Sequence, residues 1–297
     1  MIAPGLSYIV PAYNEEGAIV ATIERLRAVL ATLGMPHEII VVDDGSRDQT
    51  RARMEPLADG VRLINHPVNV GYGSAIKAGI LAARYDWIGI VDADGTYDIE
   101  GLPRLIEKMH EGFDMAIAAR ENVLTLDSPA KRLSRRLMIG FLNLIIGARI
   151  KDPNSGFRIF TRKLAMIFFP FLCNTFSFTT SLTVFALGER AFVAYVPLHY
   201  SARIGTTKVR HFRDSLRMIQ LVLQGITFFN PVKFYLMLVI GLVAVFLIPS
   251  LVLSAAGSPE IAAYWFATGA VSCLLVGMGM LGDSVRISMI GRDNDPR

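Results

Sequence analysis

Apolar and polar positions alternate in blocks over residues 1 to about 120. LSYIVPAY is an apolar run closed by Pro11 and reads as a strand. From Glu15 to Leu33 the apolar residues fall at helical spacing, with Ile19, Ile23, Leu26 and Leu30 on one face. HEIIVVDDGS reads as a second strand that ends in acids and Gly45, and VRLINH as a short third. Ser74 to Ala83 predicts a helix, DWIGIVDADG a strand, Glu100 to Glu111 a helix and FDMAIAAR a further strand. Strands that alternate with helices imply right-handed crossovers and a mostly parallel sheet, the α/β class. Such sheets bind ligands beyond the carboxyl ends of their strands. Tyr13–Glu16, Asp43–Asp44 and Asp92–Asp94 all fall at such ends, so the three clusters should meet in one crevice.

Beyond residue 120 the pattern changes. SPAKRLSRRLMIGFLNLIIGARIK carries Lys131, Arg132, Arg135 and Arg136, then an apolar stretch too short to span a bilayer. It predicts an amphipathic helix over about 129–147 that lies in a membrane interface. Lys208, Arg210, Arg213 and Arg217 form a second basic stretch. Two apolar segments follow, at about 232–254 and 261–282. At about 1.5 Å per residue each reaches about 30 Å, enough to cross a membrane. The expected domains are a catalytic unit over 1–225 and a membrane anchor over 226–297. The SAAGSPE link has no Lys or Arg, whereas Lys233 and Arg286 flank the other ends, so both termini should face the cytosol. The first residues form no basic-then-apolar leader and read as a strand.

Composition agrees with a chain partly in lipid. The 297 residues are 52% hydrophobic, and mean hydropathy is +0.42. Net charge is +4, mild and locally clustered, which favours contact with a membrane surface and argues against a nucleic-acid partner. Cys173 and Cys273 are far apart in apolar contexts, so no disulfide framework is expected.

The sharpest chemistry is in WIGIVDADGTYD, where a buried strand ends in Asp92, Asp94 and Asp98. Carboxylates this close repel one another. A divalent cation reverses that, and Mg²⁺ or Mn²⁺ commonly sits on one or two carboxylates plus substrate phosphates. Acids at strand ends are also common as solvated turns, so the motif alone leaves both readings open. The five histidines, at 37, 66, 110, 199 and 211, show no metal-ligand spacing.

PAYNEE, VVDDGS, NVGYGSAIKAG and DADGTYD in this order resemble the nucleotide-sugar half of a family 2 glycosyltransferase of GT-A fold. AAR at 118–120, DPNSGFR at 152–158 and VPLHYSARIGTTK at 196–208 resemble the polyprenyl-phosphate branch of that family. The resemblance covers about residues 6–285 and implies a Rossmann-like catalytic domain with interfacial helices and two C-terminal anchors. By matching motif, Pro11, Tyr13, Glu15, Asp44, Asn69, Gly71, Gly73, Asp92 and Ala93 would bind the donor, with Asp92 and Asp94 on the metal. Asn69, Gly71 and Gly73 would let backbone approach the nucleotide. Arg203 and Lys208 would clamp the donor diphosphate. Arg120, with Arg132, Ser134 or Arg136, would hold the acceptor phosphate.

The implied reaction is inverting transfer of a sugar to polyprenyl phosphate at the cytosolic membrane face, in service of a cell-envelope glycan. Asp94, Arg120 and Arg203 would be its catalytic residues. The GTY after DAD favours a UDP-hexose over GDP-mannose. Family 2 polysaccharide synthases carry a Glu-Asp pair and a Gln-x-x-Arg-Trp motif. NTFSFTTSLTVF has no acid and no such Arg-Trp follows, which suits an acceptor that needs no base. Many members of the polyprenyl-phosphate branch keep an acid near this position, and the Thr179–Thr180 stretch departs from them. A hydroxyl acceptor and a non-catalytic nucleotide-sugar-binding adaptor are the alternatives. Two anchors per chain leave room for a homodimer or homotetramer.

Overall fold

The computed structural model describes residues 3–57, 59–122, 129–201 and 231–293. The chain divides into two compact units, Met1–Met218 and Ile219–Arg297. The expected boundary at 225/226 falls outside the described residues.

The first unit is built on one seven-stranded sheet. Its strands are β1 (Ala3–Ala12), β2 (His37–Asp43), β3 (Val61–Asn65), β4 (Tyr85–Ile90), β5 (Met115–Arg120), β6 (Arg158–Thr161) and β7 (Val193–Leu198). Their order across the sheet is β3-β2-β1-β4-β6-β5-β7. β1 is central and buried on both faces, with Leu6, Tyr8, Ile9 and Val10 all at 0% exposure, so its near-continuous apolar run is what a two-faced parallel strand requires. Helix α1 (Ile19–Thr32) lays Ile19, Ile23, Leu26 and Leu30 into the core, the face its spacing predicts. Helices α2 (Thr50–Met54), α3 (Tyr72–Ala82) and α4 (Leu102–His110) follow β2, β3 and β4.

All neighbouring pairs are parallel except those made by β6, which runs against both β4 and β5. The reversal matters for function. It puts the beginning of β6 at the edge where the other six strands end. The 152–157 turn therefore joins the same edge as the three predicted clusters. β6 and β7 were not distinguished as strands in the sequence. β6 is four residues long, and β7 contains Pro197, which an edge strand tolerates.

Among the described residues the first unit holds three further helices: α5 (Pro129–Ile146), α6 (Arg162–Ile167) and α7 (Phe178–Gly188). α5 occupies the span predicted for a helix there. It buries Leu142 and exposes Leu133 and Leu137, which lie one turn apart on one face. The aromatic stretch from 160 to 185 is partly core, with Phe160, Phe168, Phe178 and Phe185 buried, and partly surface, with Phe176 exposed.

The second unit is a helical hairpin: α8 (Pro231–Leu242), a π turn (Val243–Leu247), α9 (Ile248–Ala255) and α10 (Pro259–Asp293). Two stretches, Phe234–Ala255 and Pro259–Gly282, are long and apolar enough to cross a membrane. Only 6% and 17% of their most apolar windows is buried, which sets them apart from the core helices of a soluble domain. The Trp265 indole N–H donates to the Val245 carbonyl inside the π turn at 3.0 Å, and Ser250 Oγ donates to the Ala262 carbonyl at 3.0 Å. Each bond shields a backbone carbonyl that lipid cannot solvate.

Gly89 of β4 tests the tightness of the central strands. A Cβ there would lie 2.4 Å from the Tyr8 ring, which is fully buried and has no room to move. Gly89→Ala should destabilise the protein by about 1–3 kcal/mol through overpacking. Thermal unfolding of the full chain in detergent should show a clear drop in Tm.

Candidate active site

Four strand ends and one strand start build the site. β1 ends in the 13–16 turn, β2 in Asp43–Asp44 and β4 in the 92–98 turn. β5 ends in Arg120, and β6 begins at Arg158.

The 13–16 turn is sewn to the turn after β2. The Asn14 amide N–H donates to Ser46 Oγ at 2.9 Å and the Glu15 N–H to Thr50 Oγ1 at 2.8 Å. The Arg47 N–H returns a bond to Asn14 Oδ1 at 2.8 Å. Asn14 takes a left-handed φ of 53°, a conformation asparagine tolerates better than most residues. Pro11 is buried in β1, and Tyr13 and Glu15 stay half-exposed.

Asp44 is buried and accepts from the Val70 N–H at 3.0 Å and the Gly71 N–H at 2.8 Å, with His66 Nδ1 at 2.8 Å. It therefore shapes the turn that carries Asn69, which is exposed. The glycines of this turn have a use the sequence did not suggest. A Cβ on Gly71 would lie 2.5 Å from the Asn174 carbonyl, and one on Gly73 would lie 2.0 Å from the Cys173 carbonyl. The close approach they permit is to the 173–174 backbone, which is fixed further by the Ser74 N–H donating to the Asn174 carbonyl at 3.0 Å.

The two candidate metal carboxylates differ in setting. Asp94 is 5% exposed, and its Oδ1 accepts from Thr96 N at 3.2 Å and Thr96 Oγ1 at 2.7 Å. Asp92 is half-exposed and accepts from the Tyr72 hydroxyl on Oδ1 at 2.7 Å. Burial, then the charge of Asp92, pushes Tyr72 well above the ordinary tyrosine range, so its hydroxyl keeps the proton it donates. Ala93 between them is buried, and its carbonyl accepts from Thr22 Oγ1 at 3.2 Å. No cluster of three or more His, Cys, Asp or Glu converges among the described residues. A carboxylate pair at a strand end fits a hard divalent ion whose other ligands are phosphate oxygens and water.

Arg120 closes the other side. Its Nε and Nη2 each donate to Asp152 at 2.7 Å in a two-pronged pair, and its ring neighbour Tyr200 lies 5.2 Å from the guanidinium carbon. The Asp152 and Arg120 side chains are 7% and 11% exposed. Burial alone would raise Asp152, but the hydrogen bonds and charge of Arg120 outweigh it and hold the carboxyl below its usual range. Arg135 of α5 adds to this, which brings the basic end of that helix within electrostatic reach of the pair. Arg136 is exposed, and Arg132 has its Nε buried without a hydrogen-bond partner. Ser134 is on the same helix. Arg203 and Lys208 lie outside the described residues.

Sequence reasoning quoted DPNSGFR without giving its members roles. Asp152 pairs with Arg120. The Gly156 N–H donates to the Tyr97 hydroxyl at 2.7 Å, and its Cα faces the Asp92 carboxylate. Arg158 is fully buried and donates to the carbonyls of Pro153, Ser155 and Thr179 and to Thr183 Oγ1. The Thr179–Thr180 stretch thus accepts from Arg158 through Thr179, while Thr180 Oγ1 donates to Asn154 Oδ1.

Asp152→Asn should cost about 3–5 kcal/mol at pH 7, because it strands a buried guanidinium. The folded-state carboxyl is depressed below its ordinary value. The wild-type advantage should therefore be complete above about pH 4 and shrink as pH falls below it. Thermal unfolding of both proteins across pH 3–7 checks this; a gap that stays constant with pH would contradict it.

Comparison with known proteins now bears on this geometry. The pattern of the family described as Glycosyl transferase family 2 matches residues 7–170, just over half of the chain. The low-salt glycan biosynthesis hexosyltransferase Agl6 of Haloferax volcanii is 31% identical over 227 residues, which are 75% of this chain and 54% of that protein. The dolichyl-phosphate beta-glucosyltransferase of Dictyostelium discoideum is 31% identical over 233 residues, 72% of this chain and 71% of that protein. The chain thus spans about half the length of the first relative and more of the second. Glucosyl-3-phosphoglycerate synthase from Mycobacterium tuberculosis, solved with uridine diphosphate, shares the fold: TM-score 0.61, 21% identity, 75% of this chain and 80% of that one. The same enzyme has been solved with Mn²⁺ and UDP-glucose. The first unit is a GT-A-like, mostly parallel sheet with its polar clusters gathered at one edge, and the chain belongs to glycosyl transferase family 2.

Proposed function

We propose that the protein transfers a hexose from a UDP-sugar to a polyprenyl phosphate, with inversion at the anomeric carbon. The observation that carries this reading is the division of one sheet edge into two chemical halves. Carboxylates Asp92 and Asp94 lie at the end of β4, and the Arg120–Asp152 pair lies at the end of β5 with the basic end of α5 acting on it. The relative from Dictyostelium discoideum is, by its name, a dolichyl-phosphate beta-glucosyltransferase.

In the donor half, Tyr13, Glu15 and Asn69 would line the base and ribose pocket over Pro11 and Ala93. Asp44, Gly71 and Gly73 hold the shape of its wall. Asp92 and Asp94 would hold one divalent cation, Mg²⁺ or Mn²⁺, which offsets charge on the departing diphosphate. Arg203 and Lys208 would add cations to the same group. The UDP-hexose assignment in preference to GDP-mannose rests on the GTY at 95–97.

In the acceptor half, Arg120 and α5 would receive the lipid phosphate. The partnerless Nε of Arg132 is a ready donor for it. Exposed Leu133 and Leu137 would rest in the acyl boundary of the bilayer, and the two apolar helices would cross it with both termini in the cytosol. A phosphate monoester is already largely ionised at pH 7, with a second pKa of about 6. Its oxygen attacks the anomeric carbon, the bond from that carbon to the diphosphate oxygen breaks, and the diphosphate leaves with the electron pair. No proton needs removal, so the Thr179–Thr180 stretch can give its carbonyl to Arg158 instead of carrying a base. Arg120 orients the nucleophile and balances its charge.

The test uses the full chain in detergent with a polyprenyl phosphate, Mg²⁺ or Mn²⁺, and labelled UDP- and GDP-sugars. Label from a UDP-hexose should move into the lipid. EDTA should stop it, and Asp94→Ala should abolish it in a protein that still folds. Transfer to a hydroxyl acceptor alone would overturn the acceptor assignment. Nucleotide binding without any transfer would point to the adaptor instead.

A further inference from the structure

Tyr72 opens α3 directly after Gly71, whose φ of 111° turns the chain into the helix. Its ring stacks on Phe176 at 5.7 Å and 16°, so the side chain is held from behind by a loop far away in sequence. Its hydroxyl donates to Asp92 Oδ1 at 2.7 Å. Hydrogen bonds to an ionised acceptor are short and strong, and this one fixes one edge of the carboxylate.

The face of the same carboxylate is fixed from the other side. A Cβ on Gly156 would lie 2.4 and 2.5 Å from the two Asp92 oxygens and 2.6 Å from Cγ. The carboxylate therefore packs across the Gly156 Cα, which only glycine allows. Gly156 is itself held by its N–H donating to the Tyr97 hydroxyl, and Tyr97 packs edge-on to Tyr200 at 5.1 Å. Edge and face together leave the Asp92 carboxylate little freedom to rotate. Asp94, by contrast, is oriented inside its own turn by Thr96. A ligand whose rotamer is already set loses less entropy on binding, and placement within about 0.5 Å is what a site needs.

We infer that Tyr72 is a positioning residue: its hydroxyl, with the Gly156 Cα, sets the plane in which Asp92 meets a divalent cation and the diphosphate it carries. The inference rests on the donor site proposed above. Phe176 is part of the device, because its stack keeps the phenol aimed. Phe176 is 42% exposed, so this support is at the surface rather than in the core.

The experiment is calorimetric binding of UDP to the full chain in detergent, with and without Mn²⁺, on five proteins: wild type, Tyr72→Phe, Asp92→Asn, the double variant of these two, and Gly156→Ala. Tyr72→Phe keeps the stack and removes one oxygen. It should weaken Mn²⁺-dependent UDP binding about tenfold, the effect of one hydrogen bond to a charged group, and leave metal-free UDP binding unchanged. In the Asp92→Asn background the same change should add nothing, since its effect runs through Asp92. Gly156→Ala pushes the carboxylate from its other face and should produce the same selective loss with Tyr72 intact. Wild-type affinity in Tyr72→Phe, or an equal loss in both backgrounds, overturns the inference and leaves the donor site standing. A wild-type protein that binds no UDP with Mn²⁺ overturns the donor site and the inference together.

Discussion

Arg158 ties the turn where β6 begins to helix α7 through its guanidinium. Its bonds reach the carbonyls of Pro153 and Ser155 in the preceding turn, and the Thr179 carbonyl and Thr183 Oγ1 in α7. A buried cation without such partners would cost several kcal/mol, so the turn has little freedom to leave. That turn carries Asp152 and Gly156. Because β6 alone is antiparallel, the turn is delivered to the edge where six parallel strands end. Asp152 then meets Arg120, and Gly156 meets Asp92. Both halves of the site depend on this one reversed strand and the arginine at its start.

The two halves use charge in opposite ways. At the end of β4, a half-exposed Asp92 and a buried Asp94 are aimed by neutral donors, Tyr72 on Asp92 and Thr96 on Asp94. Under the proposed function, a divalent cation would offset their mutual repulsion. At the end of β5, a guanidinium is kept ready by a carboxylate that already satisfies two of its donors. Under the proposed function, a phosphate entering there would meet a guanidinium whose orientation is set. In that reading, the β4 half would meet a cation through its carboxylates, and the β5 half would meet a phosphate through a guanidinium that Asp152 already orients.

Much of the sheet could be read from pattern. Leu6–Val10 and Ile39–Val42 are continuous apolar runs, and the α1 face repeats at helical spacing, so those elements formed where expected. β6 hid because four residues that open with an arginine carry no strand pattern, and the arginine is buried for tertiary reasons. α7 hid for a similar reason: Thr179, Thr180, Ser181 and Thr183 are all buried, so it has no polar face to mark it. In the site, Asp92 and Asp94 were legible because carboxylates at the end of a buried strand conflict with their setting. Their supports were not. Tyr72 is 20 residues from Asp92, Arg120 is 32 from Asp152, and Tyr97 is 59 from Gly156, and pairs at such separations leave no local mark. Gly71 and Gly73 were legible as places of close approach, but the partner they admit, the 173–174 backbone, was not.

The central claim is that the β4 end holds a metal-bound diphosphate. The most direct measurement is a cryo-electron microscopy structure of the full chain in a lipid nanodisc with UDP and Mn²⁺. The account predicts ion density in contact with an Asp92 or Asp94 oxygen, with the diphosphate on the ion and the nucleoside toward the ends of β1 and β2. Nucleotide bound away from that edge, or an ion touching neither carboxylate, would contradict it.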